Sequence, residues 1–473
     1  MVMPWKCLGL KCVLPLKLGD NSMTKSNTKT SIKALSFVVG LSATMILGAF
    51  SSVSVAQEAS SERKTQRVPT LRAKVYDQLS RAQTAADAGK PKEAFSILDE
   101  VKGKANSMNS YEQAMMYNFY GFIHYNLEQF DQAIAAFEEV VKQQPIPTSF
   151  EQATLFSLAQ LHMMRGNYDS TIEFIEKWEA IQQEIAPGIE IPAKNLVLKA
   201  QAMYQKQDYA KASAYINQAV KQQENSKEGY QVDENWYVLQ RAVYFELKQP
   251  EKVKDVLLKL VKQYEKPAYW IQLAGMYGEL GDEKQQLAYM EIAYQMDYIA
   301  TGSDIFNLSQ LYYYHQVPFK AALLMESGIK QGKLAKDERN LTFLAQAWSF
   351  AKENEKAVPV MMAAAKLAKD GELDAQLAQT YLNMEKWQQA IDASTTALAK
   401  GGLRNEGTVH LVLGMAHFNL GDYNVALNEL AEAEKFNSSK GMAKQWLKFV
   451  QTEKATTERF QAQLANSGDN SYL

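Results

Sequence analysis

From about residue 71 onward, apolar and polar positions alternate with the period of a helix. Between Ala114 and Pro145, bulky side chains return at three- and four-residue steps: Tyr117, Tyr120 and His124, then Phe130, Ala133, Phe137 and Val140. Such steps bring side chains to one face of an α-helix. The polar interruption around Glu128 leaves room only for a tight turn, so the pattern predicts two antiparallel helices. Gly121 on the first and Ala133 on the second are small where the helices cross, and Phe137 fills the space between them. One such pair cannot bury its own apolar face, so neighbours are required on both sides.

The pattern supplies them. A weaker copy precedes it, with Ala82, Ala85, Gly89, Ala94, Leu98 and Val101, on a first helix polar enough to face water. Others follow: Leu155, Leu158, Ala159 and His162 with Tyr168 and Ile175; Leu196, Ala200 and Met203 with Ala212 and Ile216; Trp236, Leu239 and Val243 with Val253 and Leu257. Trp270, Leu308, Leu344 and Leu377 open four more, and Leu413, Gly414 and His417 with Tyr423 and Ala426 make a tenth. The fifth copy slips in register around Gln249-Pro250, and Ala186-Pro187-Gly188 marks a loop after the third. These irregularities predict a division into two arms.

The order bulky-x2-bulky-Gly-x2-aromatic, then Ala-x3-Phe-x2-small and a closing Pro, at a spacing near ~34 residues, resembles the tetratricopeptide repeat (TPR). The resemblance implies an all-α fold: a TPR α-solenoid, a right-handed superhelix of about ten helix-turn-helix repeats over 71–440. A capping helix at 441–464 covers its end with Trp446, Leu447, Phe449 and Val450. Residues 57–70 read as a flexible lead-in and 465–473 as a disordered tail.

The N-terminus has a different character. Residues 1–22 match nothing downstream, and Met23 reads as the true start. Lys25, Lys29 and Lys33, the apolar run Ala34 to Phe50, and Ser54-Val55-Ala56 have the layout of a cleavable secretory signal. A retained anchor is the alternative, but the run is short and polar-flecked for a span needing ~20 residues. Residues 1–56 carry six Lys and only Asp20 as an acid, so the remainder holds 45 basic and 52 acidic residues, a net charge of −7. That balance argues against nucleic acid as a partner. Cys7 and Cys12, the two cysteines of the chain, both precede residue 56. Disulfide, thiolate-metal and thiol-nucleophile chemistry is therefore not expected in the exported part.

No phosphate-binding loop, dinucleotide fingerprint or nucleophile elbow is present. His124, His162 and His417 occupy the repeat's aromatic position and His410 its first bulky position; rings packed between helices account for them without a metal. The expectation is a non-catalytic protein with no cofactor and no metal, touching membranes only through partners.

What remains is a surface. In TPR proteins, positions just off the core face of each first helix line the concave side and touch protein ligands. The resemblance carries this role to Asn118, Phe122, Tyr125 and Asn126; to Phe156 and Gln160; to Gln201 and Tyr204; to Tyr237, Arg241 and Tyr244; to Phe306, Gln310, Tyr313 and Tyr314; and to Gln346 and Phe350. Gln160, Gln201, Gln310, Gln346 and Gln379 share one groove position. An amide donates and accepts at once, which suits an extended peptide backbone, and the aromatics add contact area at little entropic cost. The Lys of the carboxylate-clamping set is missing, since Met115 stands in its place beside Asn118.

The signal, the cysteine-free remainder and the ten degenerate repeats, with GYQVDENWYVLQRAVYFELKQ (229–249) among them, resemble the periplasmic TPR proteins of TonB–ExbB–ExbD systems. That resemblance implies a periplasmic location and an accessory role in TonB-dependent iron uptake, with TonB, ExbB or ExbD as partners. A scaffold or chaperone-like adaptor for peptidoglycan or outer-membrane assembly is the alternative.

Overall fold

The computed structural model describes residues 68–226 and 231–468. The expected signal, the start at Met23, most of the lead-in and residues 469–473 lie outside the described residues. Among those described there are 21 α-helices and no strand.

The chain forms two compact units that divide between Asp208 and Tyr209. The first holds α1 (Ala73–Asp87), α2 (Pro91–Lys102), α3 (Ser110–Asn126), α4 (Phe130–Lys142), α5 (Thr148–Met164), α6 (Tyr168–Ile185) and α7 (Ala193–Gln205). The second begins with α8 (Tyr209–Glu224), α9 (Glu234–Glu246), α10 (Pro250–Gln263), α11 (Pro267–Glu279), α12 (Glu283–Gln295), α13 (Gly302–Tyr314) and α14 (Pro318–Lys330). It continues with α15 (Glu338–Phe350), α16 (Asn354–Ala365), α17 (Glu372–Asn383), α18 (Trp387–Lys400), α19 (Glu406–Asn419), α20 (Tyr423–Glu434) and α21 (Lys440–Gly468). The division falls neither at 186–188 nor at 249–250, where the sequence is irregular.

One turn joins the two helices of each of the ten pairs, and it recurs between pairs at Asp297 and Gly332. Gly89, Glu128, Gly166, Gln207, Lys248, Gly281, Gln316, Lys352, Glu385 and Gly421 all take positive φ, between 54° and 87°. The N–H of the next residue returns to a carbonyl five positions back, as from Gln129 to His124 (2.9 Å) and from Asp422 to His417 (2.9 Å). This left-handed cap satisfies carbonyls that the end of a helix would otherwise leave open. From Lys248 onward these residues follow at steps of 33, 35, 36, 33 and 36; Glu128 to Gly166 is 38, and the next two steps are 41 each. The turn at Gln249-Pro250 has the same geometry as the rest, with Pro250 at the start of α10 where a missing N–H costs nothing. The extra length lies in the link before α9, so the apparent slip is an insertion upstream of the turn.

The crossing of α3 and α4 packs as its small residues require. A Cβ on Gly121 would lie 2.6 Å from the Phe137 ring, which is 1% exposed. Gly414 meets Leu430 in the same way across α19 and α20. Burying one ring such as Phe137 contributes about 1.5–3 kcal/mol. At the start of α3, Asn109 and Glu112 form a reciprocal capping box. Arg72, ahead of α1, closes on the buried Glu112 carboxylate through Nε (2.6 Å) and Nη2 (2.5 Å). The last helix, α21, buries Ala443 and Val450 against Leu411 and Leu430. Phe449, expected in that seam, is 46% exposed.

Candidate protein-binding surface

Within the first unit, the residues expected to line a groove lie on α3, α5 and α7. Phe122 stands edge-on to Phe137 (5.3 Å) and Tyr125 edge-on to Phe130 (5.9 Å). Phe122, Tyr125 and Phe156 are half-buried against the core of this unit. Asn118, Gln160, Gln201 and Tyr204 are also partly accessible, and Asn126 is exposed at the end of α3. The side-chain amides of Asn118, Gln160 and Gln201 have no hydrogen-bond partner among the described residues, so each keeps both a donor and an acceptor.

At α9 the expectation requires correction. Tyr237 is fully buried and donates its hydroxyl to Glu224 Oε1 (2.8 Å), which also accepts from Lys259 (2.8 Å). Burial and this carboxylate push the phenol up to about 12. Tyr244, 8% exposed, donates to Asn217 Oδ1 (2.8 Å). Arg241 is half-buried and donates to Gln272, and burial lowers its pKa. The two tyrosines tie α9 to α8 rather than lining an open face. Their acceptors come from another helix, which repeat spacing cannot reveal.

An aromatic array with accessible rings is formed by α13 and α15. Tyr313 lies 5.5 Å from Phe343, 5.1 Å from Phe350 and 6.0 Å from Tyr314, ring centre to ring centre. Phe306 is 5.2 Å from Phe343 and is covered by the Arg339 guanidinium at 4.3 Å. Tyr314 is 65% exposed and Phe350 44%. Each helix sets a glutamine between two rings: Phe306, Gln310 and Tyr313 on α13, and Phe343, Gln346 and Phe350 on α15. Neither amide has a partner among the described residues. Phe343 is the member that sequence reading passed over. Its signal was the three-residue step to Gln346, the same spacing that joins Gln310 to Tyr313 in reverse.

The histidines brace turns. His124 Nδ1 meets Gln129 Oε1 at 2.7 Å, His417 Nδ1 meets Asp422 at 3.3 Å, and His162 Nδ1 meets Asn167 at 3.4 Å. In all three the ring reaches the residue whose N–H closes the left-handed cap. His410 pairs with Glu429 at 2.7 Å. Among the described residues no three His, Cys, Asp or Glu side chains converge as metal ligands would, and no helix is long and apolar enough to cross a membrane.

Residues 123–186 and 376–441 match the tetratricopeptide repeat family. No curated protein matches the chain. Among solved structures, it is similar to a tetratricopeptide repeat protein from Parabacteroides merdae ATCC 43184, with 14% identity, 55% of this chain and 98% of that one covered, and a TM-score of 0.29. It is also similar to YrrB, described as a TPR protein with an unusual peptide-binding site (15% identity, 39% and 94% covered, TM-score 0.34). A third is the APC/C hetero-tetramer Cut9-Hcn1 (13% identity, 80% and 90% covered, TM-score 0.28).

Proposed function

We propose that this chain of tetratricopeptide repeats is a non-catalytic scaffold that holds extended protein segments on its first-helix faces. The observation that carries the reading is the array on α13 and α15. Tyr314 and Phe350 there are exposed, Tyr313 and Phe343 are half-buried beside them, and the same two helices carry the unpaired amides of Gln310 and Gln346. An extended segment offers alternating N–H and C=O groups, which an amide satisfies in either sense, while its side chains lie on the rings. The free amides of α3, α5 and α7 provide the same chemistry within the first unit.

The finer reading places the scaffold in the periplasm, as an accessory of a TonB–ExbB–ExbD energy-transducing system serving iron uptake. What supports it is layout: a segment with the features of an export signal, no cysteine after residue 56, and about ten degenerate repeats with no other domain between them. The test is affinity capture of the protein, tagged at Leu473, from cross-linked cells grown in low iron, beside a Tyr313→Ala/Phe350→Ala variant. TonB, ExbB or ExbD should be recovered with the parent and lost with the variant, at unchanged helical content by circular dichroism. Recovery of cell-wall synthases or outer-membrane assembly proteins instead would overturn the choice of machine and leave the scaffold standing. Equal recovery by the variant would remove the array from the binding face.

A further inference from the structure

His162, on α5, differs from the other turn-bracing histidines in its surroundings. It is 7% exposed, and its Nε2 is buried with no hydrogen-bond partner among the described residues. The ring lies flat on Phe174 of α6, with centres 5.2 Å apart, and Nδ1 meets the Asn167 amide at 3.4 Å. Glu138 Oε1, on α4, is 3.9 Å from Nε2, beyond hydrogen-bond reach. That carboxylate is partly exposed and makes no hydrogen bond among the described residues. Glu173 of α6 also acts on the ring but is paired with Lys177 (2.7 Å). Arg165, at the end of α5, is paired with Asp131 (3.0 Å); on α7, Lys199 is paired with Glu179 (3.0 Å) and Lys206 with Asp169.

A neutral ring suits this place and a charged one does not. An imidazolium needs acceptors for two N–H groups, and here one meets an amide at long range and the other meets nothing. Burial accordingly holds the His162 pKa below the ordinary histidine value, against the pull of Glu138 and Glu173. Moving off Phe174 toward Glu138 would satisfy the charge and give up the α5–α6 stack. We propose that His162 is an acid-operated release in the first unit: on taking up a proton the ring leaves Phe174 for Glu138, and α5 loosens from α6. The closed packing is thus held above the ordinary value of about 6.5 and is lost as pH falls below it. Phe156 and Gln160 lie on the same helix, so a segment held there is let go in acid. That consequence rests on the binding reading above; the release itself does not.

The test is hydrogen exchange on the full chain, corrected for the intrinsic rate at each pH. Between about pH 7.5 and 5, α5 and α6 should accelerate at least about threefold relative to α11 and α12, which contain no histidine. His162→Phe keeps an aromatic ring at this repeat position and should abolish the acceleration. Glu138→Gln should at least about halve it, because the charged ring loses the acceptor it moves to; a buried ring that merely destabilised the helix on protonation would give as much acceleration or more. In ¹³C-histidine NMR spectra, the resonance missing from His162→Phe should titrate below about 6.5 in the parent. No acceleration in the parent, equal acceleration in His162→Phe, undiminished acceleration in Glu138→Gln, or a midpoint at or above the ordinary value would overturn the proposal.

Discussion

At the residue scale, single side chains decide local geometry through what they meet on other helices. Gly121 is the sharpest case, because any Cβ there would enter the Phe137 ring at 2.6 Å. Gly121→Ala should therefore lower stability by about 1–3 kcal/mol despite the better helix propensity of alanine; chemical unfolding followed by circular dichroism measures it. Glu112 has the opposite problem, a buried charge that needs its partners. Hydrogen bonds from Arg72, and further from the Asn109 backbone, hold its carboxyl below the usual range. Its contribution is thus fully present above the unfolded value of about 4.3 and is lost as pH falls through the lower folded value. Hydrogen exchange in α1–α3 should accelerate over that acid window. Glu112→Gln should flatten the dependence and cost on the order of 2 kcal/mol at neutral pH. The three turn-bracing histidines belong to this scale too. Their aromatic position was legible in the repeat, whereas their link to the capping residue five positions on needed coordinates.

The recurrent element is the helix end. Among the described residues, seven left-handed positions are held by residues other than glycine, and six of these sit in the turns within helix pairs: Glu128, Gln207, Lys248, Gln316, Lys352 and Glu385. A side chain in this region costs about 1 kcal/mol relative to glycine. Glu385→Gly should accordingly raise the melting temperature slightly, and Gly421→Ala, at φ 87°, should lower it; differential scanning calorimetry on both variants reads the sign. Helix ridges obey a different logic. The sequence places Tyr237 and Tyr313 at ridge positions of α9 and α13, yet one is fully buried and the other belongs to an accessible array. The difference lies in the neighbouring helix: α8 presents Glu224 and Asn217 to α9, whereas α15 presents more rings to α13. Propensity and periodicity contain no information on that pairing.

For the whole molecule, terminal helices matter because a repeat stack must end in something that water tolerates. Removing α21 would uncover Leu430 and Leu411, both buried beneath Ala443 and Val450. A chain stopped before Lys440 should show faster hydrogen exchange in α19 and α20, with α1–α7 unchanged, since stability in such arrays is local and near-neighbour. Helical class, the number of helix pairs and the place of each turn follow from periodicity alone, because a helix face repeats every three or four residues wherever it lies. The close approach at Gly121 was legible for the same reason: small residues at a fixed offset can only mark a crossing. Tertiary structure alone assigned the division at Asp208, the burial of Tyr237 and Tyr244, and the gathering of Tyr313, Phe343 and Phe350 into one array. These depend on which helix faces which, and that is settled by packing between segments distant in sequence, whose combined fit no local pattern encodes.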